Sequence, residues 1–186
     1  TSVDARYGSQ LYNVELNMRH TWRDWLDVMA GFRYVELDER SLVSLSNAAV
    51  PFSYAVATRN RLYGVQFGGQ AWLWCPCEYF ELDAFGKAGI YGNSAAQGSS
   101  SSSGLVNLSA NGQGTNTAFI GELGVTGTCR LTDNWSLRGG YRLLWITDVA
   151  LASDQLARTD FANGTGLDGG GDAFYHGAIV GLEYCR

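Results

Sequence analysis

Twelve charged side chains carry most of the chemistry this chain could do. Glu15, Asp27, Glu81, Asp83, Glu122 and Glu183 are the acids, and Arg19, Arg33, Lys87, Arg130, Arg138 and Arg142 the bases. Each stands in a segment where apolar and polar residues alternate, on the polar parity, among Gly, Gln, Asn and Thr. Charges of both signs on one face can do two things. In a narrow enclosure they pair across it, because an unpaired buried charge is expensive. In a wider one they line water and set ion selectivity. Both readings stay open from sequence: a charge network that holds the fold, or a conducting polar path.

Cys75, Cys77, Cys129 and Cys185 are the second group. A Cys75–Cys77 bridge is disfavoured, since two residues flanking Pro76 poorly meet the geometry a disulfide requires. Pairings of Cys75 or Cys77 with Cys129 or Cys185, or of Cys129 with Cys185, suit an oxidising compartment. Free thiols, intermolecular links and a four-cysteine metal site are the other readings. The Cys-x-Cys spacing is tighter than the usual zinc knuckle and weakens the last of these. Asp168-Gly-Gly-Gly-Asp172 offers two carboxylates for Ca²⁺, against the simpler reading of a flexible turn. His20 and His176 have no metal-ligand partner at useful spacing and are assigned packing or interfacial roles. No nucleophile elbow, P-loop or metalloprotease helix is present. The chain is read as no enzyme, with no catalytic residue, cofactor or metal.

The elements that position these groups are strands. Period-two alternation runs through 9–20, 25–37, both halves of 61–93, 116–131, 135–146 and 172–184, and successive side chains of a strand point to opposite faces. Around Arg61–Asn93, Tyr63, Val65, Phe67, Ala71 and Leu73 oppose Gly64, Gln66, Gly68 and Gln70; Leu82, Ala84, Ala88 and Ile90 oppose Glu81, Asp83, Lys87 and Gly89. Only 2 prolines interrupt a chain of 186 residues with 24 glycines and 13% aromatics. The connections alternate short and long: 21–24, 38–58, the Cys75-Pro76-Cys77 turn, 94–115, 132–134 and 147–171. The serine run of 94–115 reads as a mobile exposed loop, because its composition buries little apolar surface.

No apolar run approaches the ~18 residues of a membrane helix. Short turns on one side and long loops on the other are the pattern of a bacterial outer-membrane barrel, periplasmic and extracellular respectively. Aromatics gather at both strand ends. Trp22, Trp25, Trp72, Trp74, Tyr79 and Trp135 form one predicted interfacial belt, and Tyr34, Tyr91 and Trp145 the other. In lipid the charged face would cost roughly 2–4 kcal/mol per residue near the midplane, so the twelve charges are predicted to turn inward and line a lumen. Lysine is scarce, with Lys87 the only one against twelve arginines, which argues weakly against a soluble sheet that guards its edges with lysine. The net charge of −5 supplies no basic field for nucleic acid.

The fold class is therefore all-β: a single domain over 1–186 forming an antiparallel up-and-down transmembrane β-barrel. Seven strands are recognised, and eight or more are expected in the full protein. Bacterial single-chain barrels have even strand numbers, so at least one upstream strand is expected and the chain is read as the C-terminal part of a longer protein.

Six stretches resemble one family. They are AGFRYVELDE at Ala30–Glu39, NRLYGVQFG at Asn60–Gly68, GKAGIYGN at Gly86–Asn93, TAFIGELGV at Thr117–Val125, LRGGYRLLWITDVALASDQL at Leu137–Leu156 and YHGAIVGLEY at Tyr175–Tyr184. In this order they resemble the planctomycete outer-membrane porins called beta-barrel porin 7. The resemblance implies an outer-membrane barrel of a planctomycete-like bacterium, acting as a porin and longer at its N-terminus. The end at Tyr184-Cys185-Arg186 departs from the aromatic residue on which such barrels generally close.

The leading expectation is a passive channel for small solutes with a charge-balanced polar lumen, located in the bacterial outer membrane. The alternative is a closed-lumen structural or surface-interaction barrel acting through its long loops. A soluble β-sandwich adhesin is a third class. Expected partners are outer-membrane lipid and, through the loops, other copies or surface proteins.

Overall fold

The computed structural model describes residues 2–46, 51–77, 79–104, 106–164 and 166–184, with the side chains of 75–77, 156 and 157 left aside. Within them lie seven strands: β1 (Ser2–Arg23), β2 (Leu26–Ser46), β3 (Phe52–Cys77), β4 (Phe80–Ser102), β5 (Asn107–Arg130), β6 (Trp135–Val149) and β7 (Gly171–Tyr184). One helix, α1 (Ala152–Arg158), lies between β6 and β7. Each strand pairs antiparallel with its sequence neighbour, in the order β1 to β7. The architecture is the expected up-and-down meander.

The sheet curls strongly. Adjacent strands are spaced ~4.8 Å apart, so β1 and β4 would stand roughly 14 Å apart in a flat sheet. Yet Lys87 on β4 reaches Glu15 on β1 at 3.0 Å, and Arg33 on β2 reaches Glu122 on β5 at 2.9 Å. Among the described residues β1 and β7 form no ladder with each other. They run in the same direction, and Ser9 Oγ and Tyr175 OH meet across the gap at 3.1 Å.

The curl separates two faces by parity. Val14, Leu16, Met18, Phe32, Val65, Phe67, Ile90, Leu123, Val180 and Leu182 stand out on the convex face, exposed by half or more. The concave face carries the charges, but it also carries the core. Val35, Leu37, Leu62, Tyr91, Ala118, Ile120 and Ile146 point inward and pack with Val149 from the end of β6. Burying a leucine or isoleucine there is worth about 1.5–3 kcal/mol.

Two of the three long connections are mostly strand in their described residues. Asp38–Ser46 extends β2 and pairs with 52–59, from Asp38↔Arg59 to Leu45↔Phe52. The serine-rich segment 94–102 likewise pairs with 107–115, and on its other side with β3. A ladder satisfies backbone groups whatever the side chains are, which the composition argument for a mobile loop overlooked. The small inward residues Ala95, Ser99 and Ala110 are buried because the third connection, 147–171, folds down over them.

That fold-down begins at Asp148, which takes a left-handed φ of 58°. Asn93 and Asn116 donate side-chain amides to its carbonyl at 3.2 and 2.6 Å. Asn60, fully buried, then brackets Ala150: its amide donates to the Ala150 carbonyl at 2.8 Å, and its Oδ1 accepts the Ala150 N–H at 2.7 Å. Glu39 accepts the Ala152 N–H at 3.0 Å, satisfying a donor that a helix start leaves without an intrahelical partner. Farther along, Gln155 both donates to and accepts from Asp168 backbone, at 2.6 and 2.9 Å. Gln97 donates to the Gly166 carbonyl, and Phe161 packs edge-on against Tyr54. The connection is a folded plug.

Candidate functional site

Below the plug, the concave face holds an ion-pair network. Arg33, 2% exposed in its side chain, donates to Glu122 at 2.9 Å and to Asn13 at 2.9 Å, and lies 3.5 Å from Glu15. Lys87 contacts Glu15 at 3.0 Å and Glu122 at 3.2 Å. Glu15 also accepts amide hydrogens from Asn17 and Gln66, each at 2.9 Å, and from Asn13 at 3.2 Å. Arg142, half-exposed, approaches Glu122 at 3.9 Å and lies over the Phe85 ring. Two cations and two carboxylates from four strands are thus tied together, with amides meeting the remaining lone pairs of Glu15.

Toward the short-turn end the concave side opens. A cavity of about 710 Å³ is lined by Trp72, Glu81, Asp83, Arg130, Arg138 and Glu183, among others. It shares Gln70, Asp83 and Arg138 with an inner cavity of about 350 Å³ that reaches Glu15, Arg19, Lys87 and Arg142. A third, of about 280 Å³, lies along the β1–β7 gap between Leu11, Asn13, Tyr175 and Gly177. Arg142 borders the inner cavity and the third one.

All twelve sequence-selected charges occupy concave-face register positions. Glu15, Arg33, Lys87, Glu122 and Arg142 come together in the network. Arg19 donates to Gln70 at 3.2 Å, Gln70 to Asp83 at 3.1 Å, and Arg138 pairs with Glu183 at 3.6 Å. Glu81 and Arg130 line the outer cavity without an ion pair to a described residue. Asp27, opposite Gln70 in register, also has none and leaves Oδ1 unbonded.

Two belt residues are misassigned. Tyr91 is 1% exposed and donates to Gln66 at 3.2 Å inside the curl. A Cβ on Gly89 would stand 2.8 Å from its ring and one on Gly64 2.9 Å, so two bare strand positions make the floor on which the ring lies. Trp72 lines the short-turn cavity. Parity could have found both: Tyr91 shares its face with Gly89 and Lys87, and Trp72 with Gln66 and Gln70. Trp22, Trp25, Trp74, Tyr79, Trp135 and Trp145 are exposed, and Tyr34 is half-buried on the convex face with its hydroxyl on Glu36 at 2.6 Å.

Sequence reasoning missed the amides. Asn13, Asn17, Gln66, Asn60, Asn93, Asn116 and Gln155 carry the network and the plug; polar parity hinted at those on strands, and nothing at Gln155 on α1. Glu39, read as part of a loop, accepts from Tyr7 at 2.5 Å as well as from Ala152. Burial, together with that carboxylate, pushes the Tyr7 phenol well above its ordinary pKa. The proposed cation loop is otherwise engaged: Asp168 pairs with Arg158 at 2.7 Å and accepts the Gly170 N–H at 3.1 Å. Cys129 lies half-buried on β5. The disulfide assignment turns on Cys75, Cys77 and Cys185, which lie outside the described side chains.

A family model described as "Putative beta barrel porin-7" matches residues 1–163. The chain belongs to this family. No curated protein and no solved structure matches it. Membership in the porin-7 family carries a porin-like role and an outer-membrane location in general terms. The match spans every strand of this porin-7 sheet except β7, together with α1 and the part of the plug that packs on the core.

Proposed function

We propose that this chain forms the wall and internal plug of an outer-membrane channel that passes small polar solutes passively and narrowly. The observation that carries the reading is the inversion of the curl, with charges and amides inside and an apolar band outside that His176 interrupts on β7. From Tyr63 to Leu73 the convex band of β3 covers roughly 34 Å of strand, or about 24 Å of height at a ~45° tilt, close to the ~25 Å apolar belt of such barrels. Above it the convex face turns polar, where Arg59 pairs with Asp38 at 2.9 Å and with Glu36 at 3.4 Å. An apolar surface of this extent would not persist in water on a monomer. β1 and β7 run parallel to each other, so a strand joining them would be antiparallel to both.

Planar-bilayer recording of the full-length protein tests the channel. Small discrete conductances are expected, and absence of current would overturn it. A second reading, a closed structural barrel, is favoured by the completely buried plug core around Val35, Leu62, Ile120 and Val149; the same recording separates the two. The membrane face has its own test. Phe67→Arg, mid-band and 65% exposed, should lose about 2–4 kcal/mol of folding stability in lipid vesicles. Ala57→Arg, on the same face above the band, should lose less than about 1 kcal/mol. Equal losses would remove lipid from the convex face.

A further inference from the structure

The net charge of −5 would assign a channel of this chain to cations, and the twelve charges selected from sequence count equal numbers of acids and bases. The distribution of those charges points elsewhere. In the inner cavity, Arg19, Lys87, Arg138 and Arg142 face Glu15 and Asp83, with Glu122 behind Lys87 and Arg142. Glu15 is paired within the network, whereas Asp83 keeps its charge but is withdrawn from the chamber by burial. Glu15 accepts from Lys87 and from three side-chain amides. Asp83 is 4% exposed and accepts from Gln70. The arginines are the reverse, with Arg138 46% and Arg142 56% exposed in their side chains, their carboxylate contacts long at 3.6 and 3.9 Å, and Arg142 resting on the Phe85 ring. Arg19 keeps a single hydrogen bond, to a neutral amide, at 3.2 Å. The outer cavity next to the short turns is the more acidic, with Glu81, Asp133 and Glu183 on its rim, so the positive field is confined to the inner chamber. There Arg142 stands where the inner cavity meets the β1–β7 passage.

We infer that the inner chamber is an anion-binding site, built by Arg19, Arg138 and Arg142 for small oxyanions such as sulfate, phosphate or a carboxylate, and that it makes the passage anion-selective. Guanidinium groups present planar forks of N–H donors that match such oxyanions, and rings of basic side chains select anions in pores. The site deepens the channel reading and rests on it for selectivity, while binding itself does not require conduction.

Two measurements on the full-length protein keep those dependencies apart. The first is the reversal potential in a KCl gradient, comparing the native protein with the triple variant Arg19→Gln, Arg138→Gln, Arg142→Gln. A chloride-over-potassium permeability ratio above unity is expected, falling at least several-fold in the variant. Arg59→Gln on the convex face is the control and should leave the ratio unchanged. The second is isothermal titration of inorganic sulfate into the detergent-solubilised protein, with binding expected in the native form and lost in the triple variant. Current without anion preference, or a preference the variant keeps, overturns the selectivity and leaves the channel standing. No current with variant-sensitive sulfate binding overturns the channel and keeps the site. Absence of variant-sensitive sulfate binding overturns the site.

Discussion

Arg33→Met should destabilise the folded protein by about 3–5 kcal/mol, the range for breaking a buried ion pair by removing one partner. Arg33 is 2% exposed and ties Glu122 to Glu15 across the curl. Without it, the two carboxylates below the plug share Lys87, with the half-exposed Arg142 approaching Glu122 alone, at 3.9 Å. The double variant Arg33→Met, Glu122→Leu should recover most of the loss, because the penalty lies in the charge left behind rather than in the pair's own worth. Urea unfolding in detergent micelles or lipid vesicles, followed by tryptophan fluorescence, reads both. A double variant no more stable than the single one would show that the network acts through specific hydrogen bonds instead. The contrast with Phe67→Arg is informative, since one removes a charge from inside the curl and the other adds one outside.

Asn60→Ala should release the plug. Its side chain is fully buried and brackets both the N–H and the carbonyl of Ala150. Each of those backbone groups would then be buried and unpaired, at about 1–3 kcal/mol apiece. The hinge at Asp148 has further holds in Asn93 and Asn116, but among the described residues the segment entering α1 takes side-chain hydrogen bonds from other strands only from Asn60 and Glu39. The plug therefore opens before the sheet unfolds. Limited trypsin digestion is expected to cut after Arg158 many-fold faster than in the native protein, and bilayer conductance is expected to rise. Asn60→Asp preserves the acceptor for the Ala150 N–H and should show an intermediate rate. Unchanged cleavage and conductance would mean that the apolar core of Val35, Leu62 and Val149 holds the plug alone.

These two sites sit on opposite sides of what could be read in advance. Period-two alternation revealed seven strands and their order, because neighbouring strands joined by short or ladder-forming connections pair with one another. Parity also placed all twelve charges on the concave face. Where that rule was set aside in favour of residue type, it was right and the substitute was not: Tyr91 and Trp72 went inward with their parity although aromatics were expected at an interface. Segment 94–115 shows the opposite limit. Its serines and glycines gave no apolar signal, and 94–102 and 107–115 became strand because β3 and the plug supplied ladder and cover.

The sequence by itself determined the class of fold, the two faces and which face is polar, since all three follow from side-chain alternation along a single strand. It also carried the family. Tertiary structure alone decided which charges meet. Glu15 and Lys87 are 72 residues apart, and their contact depends on the curvature accumulated over three strand pairings. It alone decided that the concave face holds an apolar core, because that core forms only when 147–171 turns inward at Asp148. The distinction between six balanced charge pairs and a chamber with exposed arginines arises in the same way. Hydrogen bonds from Asn13, Asn17, Gln66 and Gln70 occupy the acids, and no count of residue types contains that.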